Sequence, residues 1–382
     1  MSPRGAAGAL TCLLALACDK AAPAPKADGA KPGGATSPEA PTEPTVQRVG
    51  FTSDLKSDEE LRLLPAVAAP AAGGGWEVRL RAWVYEPEED SWRRGAALDG
   101  LAALLELPPG SEASEVFRRR ARAFFYDNEG GKRIVVQIGL KEHVLESTGA
   151  NGHSETLLKL TDADLTGPVT TVRAVLREGD SRSYSGRIER LDAAGLSVIS
   201  DVDDTIKISE VRDKKALLER TFLREFEVVP GMPAAYARWA AAGAQFHYLS
   251  ASPWQLYDPL TEFFSASGFP LGSAHLKLFR PKDATFFSLF IDPKAYKAPL
   301  LRGLIGAAPG RRFVLVGDSG ELDPEAYADA YREFPSQVAA IFIRDVTGEP
   351  RDAPRYQTIF AGVPADRWQI FTDAATLPQA LP

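Results

Sequence analysis

Three carboxylates within four residues, in the run Asp201-Val202-Asp203-Asp204-Thr205, stand directly after the short apolar segment 196–200. The segment reads as a β-strand, and acids crowded at its end repel one another unless a cation lies among them. The spacing therefore implies Mg²⁺ at the carboxyl end of a central strand, where open α/β sheets place their ligands. Such a strand requires a parallel sheet with crossover helices, and the chain beyond residue 195 alternates strand, loop and helix as that fold demands. A second strand over 245–249 delivers Ser250 at its end, after a helix over 230–243 with Pro233 near its start and Gly243 as its stop. Leu300, Leu301, Leu304 and Ile305 follow helical spacing and predict a helix over 296–305, with Lys297 near its beginning and Lys294 as a nearby competitor. A third strand over 312–317 runs into Asp318, Glu321 and Asp323; a helix over 324–333 and a strand over 338–343 complete the pattern.

Residues 46–190 follow a different rhythm. Runs at 76–85, 121–126, 133–138, 169–176 and 184–188 are β-rich and are separated by Gly-rich and Asn/Asp-rich turns. Helical spacing intrudes at 95–107 and after Glu112, which predicts a β-sandwich with one or two helical insertions. The stretch 147–153 reads as a turn-rich loop. Four arginines between Arg118 and Arg122, followed by Phe124 and Phe125, read as a solvated face or as a site for anionic lipid headgroups.

With 382 residues, of which 45% are hydrophobic, the chain holds enough apolar material for two cores behind a leader. The division is 1–17 signal peptide, 18–45 tether, 46–190 β-rich domain and 191–382 α/β domain. The apolar run 6–17 has the length of a signal-peptide core and is too short to span a bilayer. Ala15-Leu16-Ala17-Cys18 reads either as a small-residue cleavage site or as similar to a bacterial lipobox, and both put the mature start at Cys18. The chain is thus expected to leave a bacterial cytoplasm for the periplasm or cell surface, with a possible lipid anchor at Cys18. The Pro-, Ala- and Gly-rich tether behind it would keep the folded part near lipid. Cys12 and Cys18 are the only cysteines, and the four histidines form no HxxxH or HxH pair, so a metal in the folded body must be held by oxygen. A formal net charge of −7 has the wrong sign for gripping a phosphate backbone, which argues against nucleic acid as a partner.

Taken as a set, DxDxT after one strand, Ser250 after the next, Lys297 opening a helix and Asp318 with Asp323 after a later strand resemble the four motifs of the haloacid dehalogenase superfamily. The wording of 197–207, 248–256 and 314–327 looks like its actin-patch phosphatidate phosphatase branch. The resemblance covers roughly 195–346, and more loosely the β-rich region ahead of it. It implies a Rossmannoid phosphatase in which Asp201 attacks phosphorus to form an aspartyl phosphate and Asp203 serves as general acid and then base. The second task asks Asp203 for a raised pKa beside other negative charge. It further implies that Thr205 steadies the loop, Ser250 donates to the phosphoryl group, and Lys297 neutralises both nucleophile and phosphoryl oxygens. Mg²⁺ would be held by Asp201, Asp318 and the backbone carbonyl of Asp203, with Asp323, the second acid of its motif, orienting metal-bound water or Lys297. Asp204 and Glu321 read equally as loop or helix-terminus acids. The expected substrate is a phosphomonoester lipid such as phosphatidate, met at a membrane surface through a site with little room for a lid. A soluble or protein phosphomonoester, or a surface binding module with a vestigial phosphatase fold, are the other readings; oligomeric state is not legible.

Overall fold

The computed structural model describes residues 45–87, 95–278 and 293–382. The expected signal peptide, Cys18 and all but the last residue of the expected tether lie outside them. The β-rich region supplies β1 (Glu60–Leu63), β2 (Ala66–Pro70), β3 (Trp76–Glu86), β4 (Asp127–Asn128), β5 (Val135–Ile138), β6 (Lys141–Val144), β7 (His153–Leu160), β8 (Val169–Ala174) and β9 (Ser185–Arg190). They join in one mostly antiparallel sheet ordered β1-β3-β2-β9-β8-β5-β6, with β4 and β7 also paired to β3. Along β7 the inward residues Ser154, Thr156, Leu158 and Leu160 alternate with outward ones, the period of two that a half-buried strand requires. The buried sides hold Val78, Leu80, Ala82, Val136, Val172 and Ile188 in one apolar cluster.

Two helices interrupt this sheet in sequence, α1 (Gly95–Leu104) and α2 (Glu115–Ala121). The expected strand over 121–126 is instead the end of α2 and a 3₁₀ turn, Arg122–Phe124. Ser114 caps α2 by accepting from the Phe117 N–H, and Phe117, Arg120 and Ala121 share its buried face at helical spacing. The arginine cluster is not simply a solvated face. Arg120 is 1% exposed. Its Nη1 donates to the carbonyls of Arg220, Thr221 and Arg224, at the C-terminal end of α3 (Lys214–Phe222), where a helix dipole favours positive charge. Its guanidinium lies 3.7 Å from the Phe226 ring centroid. Arg119 pairs with Glu225 at 2.8 Å.

The second half opens with β10 (Gly195–Asp201), the short ribbon of β11 (Lys207–Ile208) with β12 (Glu227–Val228), and α4 (Met232–Ala241). It continues with β13 (Gln245–Pro253), α5 (Tyr257–Ala266), β14 (Gly272–Lys277), α6 (Pro293–Gly306), β15 (Arg311–Asp318), α7 (Asp323–Glu333), β16 (Val338–Arg344), α8 (Pro354–Ile359) and β17 (Trp368–Phe371). Six of these strands form a wholly parallel sheet in the order β14-β13-β10-β15-β16-β17. Successive residues of its strands point to opposite sides. Val198, Phe246 and Val314 enter one apolar cluster with α4, while Ile199, Leu249 and Leu315 enter another with α6 and α7. Both sides are covered, as a parallel sheet requires. Both sheets lie within one contact unit running from Thr45 to Pro382.

Candidate active site

Because β10 and β15 are adjacent and parallel, their carboxyl ends set Asp201 and Asp318 side by side. Asp201 is 1% exposed. Its Oδ2 accepts from Thr205 Oγ1 at 2.8 Å, which ties the loop after β10 back to the strand it leaves. Lys297, on the second turn of α6, brings Nζ to 2.7 Å from Asp201 Oδ1, 2.6 Å from Asp323 Oδ1 and 2.8 Å from Glu321 Oε2. Burial opposes the lysine's charge, but these three acids hold its pKa well above the usual range.

Asp201, Asp318 and Asp323 each present an oxygen within 4.8 Å of the others, a spacing suited to a hard cation. Asp318 Oδ1 accepts from the N–H groups of Gly320 and Glu321, while its buried Oδ2 has no hydrogen-bond partner. An orphaned carboxylate oxygen beside two other acids is what a Mg²⁺ site needs before the ion is counted. Burial raises the pKa of Asp318 well above the carboxylate range, and Asp323, Asp201 and Glu321 add to the effect. Four carboxylates against one ammonium leave a formal −3, which a divalent cation reduces to −1.

Asp203 departs from expectation in two ways. Its side chain is not in the acid cluster, so any metal contact falls to its backbone carbonyl. Its carboxylate is not raised by neighbouring negative charge, because it faces a lysine. Lys207, 2% exposed, places Nζ 2.6 Å from Asp203 Oδ1; Ser209 Oγ donates to the same oxygen, and Ser250 and Ser252 donate to Oδ2. Burial alone would push Asp203 up, yet Lys207, Ser209 and Ser250 hold it down at about 2. Ser250 thus donates its hydroxyl to Asp203. The pairing of β11 with β12 fixes the lysine, and Phe226 lies beside it, 4.8 Å from Nζ to the ring centroid.

A carboxylate depressed in the folded state stabilises it above the unfolded value of 3.8 and loses that stabilisation as pH falls toward about 2. Lys207→Met is therefore expected to lower stability by about 3 kcal/mol at neutral pH, by leaving a buried carboxylate unpaired. In urea titrations, the deficit should shrink as the pH drops from about 4 to about 2. A deficit constant over that window would show that Lys207 contributes packing alone.

Two residues with contacts in this site were not singled out from the sequence, Lys207 and Ser209. Glu321 was left aside, and the structure joins it to Lys297. The residue types alone gave no signal for Lys207, which looks like any lysine after a strand-end loop. Asp204 is a loop acid: at φ 55, it accepts the N–H groups of Ser209, Glu210 and Val211, while its carbonyl accepts from Arg344. Lys294 lies in a helix turn whose side chains are outside the described set.

A buried lysine ringed by acids, beside a cation-competent aspartate triad at the end of a parallel sheet, is an arrangement that supports metal-dependent phosphomonoester hydrolysis. Residues 196–345 match the family model described as "Phosphatidate phosphatase APP1, catalytic domain". Two curated relatives are similar. The "Uncharacterized protein C29B5.04c" of Schizosaccharomyces pombe is 31% identical over 188 residues, covering 47% of this chain and 31% of that protein. "Phosphatidate phosphatase APP1" of Saccharomyces cerevisiae is 28% identical over 259 residues, covering 65% of this chain and 43% of that protein. The chain therefore spans less than half the length of these relatives. A solved D,D-heptose 1.7-bisphosphate phosphatase from B. bronchiseptica, complexed with magnesium and phosphate, aligns at 15% identity with a TM-score of 0.28, covering 47% of this chain and 94% of that one. Its counterpart from Burkholderia thailandensis aligns at 14% with a TM-score of 0.26, over the same shares of the two chains.

Proposed function

We propose that this chain is an exported, Mg²⁺-dependent phosphatase of a phosphomonoester lipid, with phosphatidate converted to diacylglycerol and phosphate. The observation that carries the phosphatase chemistry is Lys297 Nζ at 2.7 Å from Asp201 beside the Asp201, Asp318 and Asp323 cluster. The lipid substrate is supported by the similarity of 196–345 to a phosphatidate phosphatase catalytic domain, and it agrees with the leader read from the sequence, whose expected end at Cys18 would allow anchoring near a membrane.

In this reading an oxygen of Asp201 attacks phosphorus as the bond to the lipid oxygen breaks, and Lys297 neutralises charge on the nucleophile and the phosphoryl group. Asp201, Asp318 and Asp323 would hold Mg²⁺, which when bound would supply further positive charge to offset that of the phosphoryl group. Asp203 protonates the departing lipid oxygen, then takes a proton from the water that cleaves the aspartyl phosphate. Since Asp203 rests ionised against Lys207, it must first leave that pair and take a proton from solvent; that proton goes to the departing lipid oxygen, and the one taken from the attacking water replaces it. Thr205 keeps the loop that carries both acids tied to Asp201.

The test is phosphate release from phosphatidate micelles and from a soluble aryl phosphate, each with Mg²⁺ or with EDTA. Release from phosphatidate that exceeds release from the aryl ester, and is lost in EDTA, is the expected result. Metal-dependent release from the soluble ester alone would move the substrate while keeping the chemistry. No release from either would point to a binding module.

A further inference from the structure

A cavity of about 460 Å³ lies between the two sheets, walled by α6 on one side and by β2, β3 and β7 on another. On α6 the lining residues are Pro299, Leu300, Gly303 and Leu304, a single stripe at helical spacing that Ala307 continues just past the helix end. Val67, Leu157 and Leu191 make the wall largely apolar, and Arg79, Arg81 and Glu155 form an ion-paired polar margin. Its size falls within the range of small-ligand sites.

Sheet register ties this cavity to the nucleophile. Asp201 pairs with Leu249 on β13, and Leu249 pairs with His275 on β14, so the three stand in one row. Paired residues of parallel strands point to the same side, here the side that α6 covers. His275, which lines the cavity, is thus two strands from Asp201, about 10 Å at the usual strand spacing. Trp254, four residues beyond Ser250, forms another part of the wall, and its indole N–H has no hydrogen-bond partner. The helix that carries Lys297 also carries the apolar stripe.

A hydrogen-bonded chain across the sheet sets the polarity of that wall. Arg311 Nε donates to Ser197 Oγ, Ser197 Oγ lies 3.0 Å from His247 Nε2, His247 Nδ1 lies 2.8 Å from Ser273 Oγ, and Ser273 Oγ lies 2.9 Å from His275 Nε2. A guanidinium only donates. The direction that leaves no hydroxyl proton without an acceptor therefore runs from Arg311 outward and places the His275 proton on Nδ1. Burial pushes His247 down to about 3 and His275 down to about 4, so both are neutral at ordinary pH. His275 Nδ1–H is then a hydrogen-bond donor at a largely apolar wall, suited to an ester carbonyl.

Gly303 keeps the stripe open. It lies within α6, where glycine costs about 1 kcal/mol against alanine. A Cβ built there meets nothing within 4 Å, and its φ is not in the left-handed region, so neither the backbone conformation nor close packing calls for glycine.

We propose that this cavity receives the acyl chain of an amphiphilic phosphomonoester whose phosphate is at Asp201, with Gly303 as the residue that leaves room for the chain and His275 as the donor to its ester group. The proposal rests on the lipid-phosphatase reading above. Its test compares lauroyl lysophosphatidate with glycerol 3-phosphate, which lacks the acyl chain, for the parent protein and for Gly303→Trp. Removing the helical glycine favours folding of α6. The expected result is a fall of roughly 100-fold in kcat/KM for the lauroyl ester, with glycerol 3-phosphate unchanged within about twofold. Equal effects on the two esters, or none on either, would overturn the tail site while leaving the phosphatase reading intact. Should neither ester be hydrolysed, calorimetric binding of lauroyl lysophosphatidate in the presence of Mg²⁺ decides the matter separately. Weakening of about tenfold or more by Gly303→Trp supports the site, and unchanged or undetectable binding to both proteins overturns it.

Discussion

Asp201→Asn is expected to lower phosphate release by at least about 10⁴-fold while the protein stays folded. Among the described residues the carboxylate is the one group that belongs to the cation cluster and touches Lys297 from the end of the central strand, and an amide cannot form the aspartyl phosphate. Folding should not suffer. Burial raises the Asp201 pKa well above its ordinary value; Lys297 opposes this, and Asp323 and Glu321 reinforce it. An acid raised in the folded state holds its proton more tightly folded than unfolded. Ionised Asp201 therefore works against folding once the pH exceeds its unfolded value of 3.8, increasingly so up to its folded value. Asparagine resembles the neutral form. In EDTA at neutral pH the variant should melt no lower than the parent, by calorimetry or far-ultraviolet circular dichroism. Turnover at the parent rate would remove Asp201 from the nucleophile's role, and a collapsed fold would show that the Lys297 pair outweighs the repulsion.

Lys297→Met carries the second large effect, and this one reaches stability as well as rate. Its ammonium contacts three acids that are nearly excluded from water, so its loss leaves buried like charges facing one another. Breaking such a group by removing one partner costs about 3–5 kcal/mol, and activity should be lost with it. The double variant Lys297→Met with Asp323→Asn removes one of the stranded charges and should recover part of the lost stability, without restoring turnover. Urea denaturation of the parent, both single variants and the double variant, all in EDTA, gives the coupling directly. A coupling indistinguishable from zero would mean that the short Lys297–Asp323 contact contributes nothing to folding.

Much of the α/β half was legible because its candidate chemistry is local. An apolar strand followed at once by acids or serine can be seen at 196–205, 245–250 and 312–323 without any knowledge of pairing. The helix over 296–305 was legible from its leucine spacing, and the structure places Lys297 on it against Asp201. What stayed hidden depends on contacts between distant segments. β14 and β17 are edge strands, and nothing in their short runs distinguishes them before the sheet assembles. Lys207 acquires its partner because the loop after β10 folds back and β12 clamps it. The misread stretch 121–126 combines aromatic and alanine residues that suit either element; the Ser114 cap and the burial of Phe117 and Arg120 decided for helix. In the β-rich region the strand over 76–85 was plain, whereas β7 was missed because Leu157 breaks its alternation by facing outward at 51% exposure.

The acids after β10 also bear on how a phosphate dianion can enter. The sequence offers a wall of like charge, but the fold has already committed most of it: Asp204 to three amide N–H groups, Asp203 to Lys207, and one oxygen of Asp201 to Lys297. The uncommitted negative charge gathers around the bare oxygen of Asp318, at the place suited to a cation. An incoming dianion is repelled from that spot until a cation fills it. The architecture thereby favours an ordered addition in which metal precedes phosphate, and makes the ionic composition of the surroundings a gate on substrate entry.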